Sequence, residues 1–212
     1  MGPAAVSYPD PSWLLPRSRA PSWVRPDSPS DPVGCCGVPH GRATIAPVGM
    51  VMLLQRVDAG EMARLVVDDE FLERLLFGDE DAPPVPDPRQ TDLDKLWHGV
   101  HWLLTGSVEE SADGLGAVLF GGAEVGEDLG YGPPRLMRPD EVAVVYRALV
   151  GVPESELVAR FDPVAMEEAG VYPSGIWGRP EAFTDLLPAL HDVVEQYAAA
   201  VAHGEGLLLV IQ

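Results

Sequence analysis

Leu93-Asp-Lys-Leu-Trp-His-Gly-Val-His-Trp-Leu-Leu-Thr-Gly106 is the densest run of aromatic, imidazole and charged residues in the chain. At helical spacing Leu93, Leu96, Trp97, Val100, Leu103 and Leu104 share one broad apolar face. That pattern predicts a helix over 93–104 packed on a core. Asp94, His98 and His101 fall at i, i+4 and i+7 and form a narrow polar stripe beside Trp97. Thr105-Gly106 supplies a helix stop.

On the N-terminal side, residues 49–56 (GMVMLLQR) are apolar enough for a buried strand. Asp58 and Glu61 have capping-box spacing, and the helix they open carries Met62, Leu65 and Val66 as its apolar side. Asp68-Asp69 opens a second helix with Phe71, Leu72, Leu75 and Leu76, closed by Gly78. Residues 78–90 form an acidic, Pro-rich loop whose Asp79-Glu80-Asp81 lacks the ordered spacing of a calcium loop.

On the C-terminal side, 115–120 is apolar and compatible with either helix or strand, and 135–138 fits a short strand. The Gly-rich run between them makes a poor phosphate cradle, because Pro133 and Pro134 remove amide donors and Glu127 and Asp128 repel anions. Its glycines are expected to allow tight turns against the 93–104 helix. Pro139 opens a helix with Val142, Val145, Tyr146 and Leu149 inward, and a shorter helix runs over 155–161. Asp162-Pro163 caps another that Gly170 ends. Residues 180–203 form the longest helix, with Phe183, Leu186, Leu187, Leu190, Val194, Tyr197 and Val201 inward and a kink expected at Pro188 unless the helix starts there. Leu207–Ile211 is nearly all apolar, as a central strand would be. Strands at both ends of the domain with helices between them predict an α+β fold, a small sheet packed against several helices.

Residues 1–47 differ from the rest. They hold 10 of the 22 prolines, without helical or strand period, and are expected to be a disordered tail. The domain is therefore assigned to 48–212. The only cysteines, Cys35-Cys36, are adjacent and lie in that tail, so no disulfide framework exists and a reducing cytoplasm fits. No apolar run approaches the roughly 18 residues of a membrane-spanning helix.

The chain carries 33 acids against 14 bases, a net charge of −19. Such a chain repels a phosphate backbone, which argues against nucleic acid and suits a basic protein partner. Lys95 is the single lysine, and the bland reading for it is an ion pair with Asp92 or Asp94. Two functional readings follow. In the first, the domain is a non-catalytic binding or regulatory protein with an acidic surface. In the second, it is an enzyme or small-ligand protein that uses Asp94, His98 and His101, with Lys95, Tyr131 and Arg135 completing the candidate site. The histidines could equally be packing residues bonded to nearby backbone. No Gly-x-Ser-x-Gly, His-Glu-x-x-His or Walker pattern occurs, and neither a metal nor another cofactor is expected.

Four ordered motifs now line up: Asp94-Lys-x-Trp-His-x-x-His-x-Leu-Leu-Thr-Gly106, Gly130-Tyr-Gly-Pro-x-Arg135, Phe161-Asp-Pro-x-x-Met166 and Tyr172-Pro with Ile176-Trp177. Together they resemble the signature of the bacterial YfbM-like proteins, a family of unknown function, over 48–212. The resemblance implies a small α+β protein without a signal peptide, and it brings no catalytic residues. Gly175 is one residue more than members usually have in the Tyr-Pro to Ile-Trp turn. Members begin Met-Gly-Met where this chain has Val48-Gly49-Met50. A GTG start codon reads as Val internally, so 1–47 is read as upstream sequence, with a genuine extension as the alternative.

Overall fold

The structure is a computed structural model, and it describes residues 49–78 and 87–212. The tail at 1–47 and the Asp79-Glu80-Asp81 run lie outside the described residues.

The predicted end strands are partners. β1 (Met52–Val57) pairs antiparallel with β5 (Gly206–Ile211), from Met52 opposite Ile211 to Val57 opposite Gly206. Three short strands extend the sheet: β2 (Gln90–Asp92), β3 (Ala123–Glu124) and β4 (Arg135–Met137), in the order β2-β1-β5-β4-β3. β5 is thus central, and its first five residues are buried. Its unbroken apolar run follows from cover on both faces. Met52, Leu54, Leu207 and Leu209 join the larger core, whereas Leu53, Val57, Leu208 and Val210 join a second one. β2 and β3 have no alternating pattern to announce them; pairing with a neighbouring strand outweighs weak propensity there.

The second core is covered by α1 (Ala59–Leu65) and α2 (Asp69–Phe77), through Leu65, Leu72 and Leu76. Asp58 accepts the N–H groups of Gly60 and Glu61 at 2.7 and 2.9 Å, and Glu61 returns a bond to the Asp58 N–H at 2.8 Å. Such a cap stabilises a helix by about 1 kcal/mol. Val66, assigned to the apolar side, is instead 63% exposed because it falls in the turn after α1.

The larger core is built by α3 (Trp97–Thr105), α4 (Ala117–Phe120), α5 (Pro139–Val150), α6 (Glu154–Val158), α7 (Pro163–Ala169) and α8 (Ala182–His203). In α5 the buried residues are the four that periodicity selected, Val142, Val145, Tyr146 and Leu149. α8 runs through Pro188 rather than starting at it. Gln196, one turn before the end of its buried face, donates to the carbonyls of Leu54 (3.0 Å) and Arg89 (2.6 Å), stapling the helix to β1 and the β2 approach. Glu167 accepts the N–H groups of Gly175 (2.8 Å) and Trp177 (2.9 Å), so the turn at Gly175 is held by α7. No helix among the described residues is long and apolar enough to cross a membrane.

Candidate functional site

The helix expected over 93–104 is in two pieces. Asp94–Leu96 forms a short 3-10 helix, and α3 begins only at Trp97. Asp94 has φ +46°, the one positive value at a non-glycine among the described residues, and its N–H is held by the Asp92 carboxylate at 2.7 Å. This Asx-type bond draws the backbone out of the helical register, so Asp94 does not continue the stripe of His98 and His101.

α3 itself is fixed at many points. The Trp97 indole N–H donates to the Met50 carbonyl at 3.2 Å, and the Trp102 indole donates to the Arg160 carbonyl at 2.9 Å. Arg160 in turn donates to the Leu103 carbonyl at 2.8 Å and to that of Leu104. A guanidinium on the last carbonyls of a helix is favourable there. Gly99 lets Trp177, which is fully buried, lie directly on the helix; a Cβ at residue 99 would overlap the indole.

His98 stacks on Trp97 with ring centroids 4.9 Å apart and 14° between planes. His101 lies 6.2 Å from His98 and meets Phe120 edge-on at 5.0 Å. The His98 Nδ1 accepts the Tyr172 N–H at 2.9 Å. That bond assigns the proton to Nε2, which donates to the Val108 carbonyl at 3.2 Å. The His101 Nε2 likewise donates to the Glu109 carbonyl at 2.9 Å, while its Nδ1 is buried with no hydrogen-bond partner. Burial lowers the pKa of both rings below the usual 6.5, against weaker opposing pulls from the Val108 and Glu109 carbonyls. Protonation would oppose the Tyr172 N–H at His98 and would leave a donor without an acceptor at His101. Both rings are therefore neutral struts that hold the 107–109 loop and the 172 turn onto α3.

The other candidates are dispersed. Asp94 is exposed, and Lys95 is half-buried beside Gly49. A Cβ on Gly49 would meet the Tyr172 hydroxyl at 2.5 Å and the Lys95 Cε at 2.7 Å, so chain and side chains close tightly there. Tyr131 and Arg135 are brought together, with Glu110 and Phe120, around a cleft of about 70 Å³. Asp94, Lys95, His98 and His101 do not line it. A water occupies about 30 Å³ of liquid and ligand clefts run from about 300 Å³, so this cleft suits a water or two. Arg135 is also paired with Glu124 at 3.0 Å. Among the described residues, no three His, Cys, Asp or Glu side chains gather as metal ligands.

A second cleft, of about 340 Å³, lies where the sequence pattern pointed to no site. Ala117, Met137 and Val145 supply buried apolar wall, Val144 is 57% exposed, and Asp113, Asp140 and Glu141 bring carboxylates. Gly121 and Gly122 also line it, packed on Met137 and Leu136 of β4 rather than on α3, where turns had been expected. One signal was available: Val144 is an aliphatic residue off the inward spacing of α5.

Residues 48–210 match the family described as Domain of unknown function (DUF1877). The fold is similar to the crystal structure of YfbM from Escherichia coli, itself described as a protein of unknown function. The TM-score is 0.60 at 19% sequence identity, over 76% of this chain and 99% of that one. At that identity the likeness concerns the fold. No curated protein matches the chain. The match covers nearly all of the sequence after the Pro-rich tail, and the chain belongs to the YfbM-like family of the domain of unknown function DUF1877.

Proposed function

We propose that this domain is a non-catalytic binding or regulatory protein that presents an acidic surface to a basic protein partner. The observation that carries this reading is the state of the two histidines. Acid–base catalysis needs a ring that can exchange a proton with a substrate. Here each Nε2 is committed to a backbone carbonyl, the His98 Nδ1 is committed to an N–H, and the His101 ring is fully buried. The net charge of −19 supplies the complementary half of the argument, since acids such as Glu73, Asp128, Asp140, Glu168 and Glu195 are exposed on several elements. A field of one sign raises the encounter rate with the opposite sign and weakens as salt screens it. The alternative, an enzyme or small-ligand protein built on Asp94, His98 and His101, draws no support from a cleft that joins these residues.

The test is affinity capture on the full-length chain, identification of retained proteins, and reconstitution of each complex from purified components. The reading predicts a basic partner whose Kd weakens roughly tenfold or more between low and high salt. Failure of every candidate to re-form a complex, or re-formation only with acidic or uncharged partners, contradicts it.

A further inference from the structure

Two features of the 340 Å³ cleft point to what would cover it. The first is apolar. Val144 and Ala148 lie one helical turn apart on α5 and both line the cleft, next to Ala117, Met137 and Val145. Val144 is 57% exposed and lies off the inward register of α5, in which Val142 and Val145 are buried. The second is charge. Asp113 and Asp140 are exposed and Glu141 is half-buried, all at the same cleft. Arg138 already lies on two of them, 3.4 Å from Asp140 and 3.2 Å from Glu141, and its own side chain is 64% exposed. The cleft edge thus accepts a guanidinium from this chain, through pairs open enough to solvent to exchange.

We propose that this cleft between α4 and α5 is the docking surface for the basic partner, and that its occupant is a cationic amphipathic segment. The segment seats an aliphatic side chain on Val144 and Ala148 and sets Arg or Lys against Asp113 and Asp140. This rests on the reading given under Proposed function and names the surface and the partner chemistry for it. Helix-in-groove recognition of this kind uses apolar anchors for affinity and flanking charge for register. Arg138 competes with the incoming cation for Asp140 and Glu141, so its removal should improve binding.

The experiment titrates the full chain with a fluorescently labelled helical peptide of Leu and Arg at i, i+4 spacing, and with a scrambled peptide of the same composition. Val144→Asp is compared with Val164→Asp, which alters a valine that is 66% exposed on α7. Arg138→Ala is compared with Arg74→Ala, the same loss of charge on α2, over the opposite face of the sheet. The expected result is that the patterned peptide binds more tightly than the scrambled one. Val144→Asp should weaken it at least about tenfold while Val164→Asp leaves it within about twofold, and Arg138→Ala should tighten it more than Arg74→Ala does. Equal effects of the two valine variants, or equal binding of both peptides, overturn the docking surface while leaving a basic partner intact. No binding of any cationic peptide, together with failed reconstitution of a basic partner, overturns the underlying reading as well. A dimer in sedimentation that Val144→Asp dissociates, with no peptide bound, overturns the occupant in favour of a second copy of this chain.

Discussion

Replacing His101 with alanine separates a strut from a site. In the structure the ring is fully buried, donates to the Glu109 carbonyl at 2.9 Å and meets Phe120 edge-on at 5.0 Å. Losing the hydrogen bond costs about 1 kcal/mol, the usual net worth of a neutral hydrogen bond. Losing the edge-on ring contact costs roughly 1 kcal/mol more. The space vacated among Phe120, His98 and the helix adds a cavity cost of similar size, partly offset by removal of the unpartnered Nδ1. The total is about 2–3 kcal/mol, which for a domain of this size lowers Tm by roughly 4–12 °C. Thermal and urea unfolding at about pH 8, where both imidazoles are neutral, measure it. A variant as stable as the parent would refute the strut assignment, because residues held for a site rather than for the fold are commonly neutral or unfavourable for stability.

Gly99→Ala should destabilise by about 1–3 kcal/mol through overlap with the buried Trp177 ring, exceeding the roughly 1 kcal/mol that alanine gains over glycine in a helix; a stabilised variant contradicts the packing described. Gln196→Leu keeps the volume of the side chain but removes the donor to the Leu54 and Arg89 carbonyls, and a loss of roughly 1–3 kcal/mol in urea unfolding is expected. Stability should also depend on pH through the histidines. Their pKa values are lowered in the folded state and return toward 6.5 on unfolding, so below about 6.5 the unfolded chain binds more protons. Stability is then full above about pH 6.5 and declines as pH falls toward the folded values; a Tm unchanged between about pH 7.5 and 5.5 would count against it.

The parts of the fold that could be read from the sequence are those set by near neighbours. Asp58 and Glu61, Asp162 and Pro163, and the inward set of α5 each carry their signal within one or two turns, and all appear where spacing placed them. The apolar run of 206–211 also announced a strand covered on both faces. What was hidden depends on distant residues. Asp94 and the histidines share helical spacing on paper, but the Asp94 N–H donates to the Asp92 carboxylate and breaks the register, which helical spacing alone does not encode. The role of His98 is set by Tyr172, 74 residues away, and the 107–109 loop completes both rings. The acid-lined cleft is assembled from α4, β4 and α5, so no single segment displays it. Tyr131 and Arg135 line one cleft with Glu110, apart from the histidine pair with which the candidate site had joined them.

Nitrogen-15 spectroscopy of the imidazole rings across a pH series tests the central claim, that His98 and His101 are neutral struts. The hydrogen bonds predict that both rings carry their proton on Nε2, and burial predicts that both titrate below 6.5 or not at all before the domain unfolds. A ring that carries its proton on Nδ1, or that titrates near neutral pH in the folded protein, would contradict the account and return the pair to candidacy as acid–base groups.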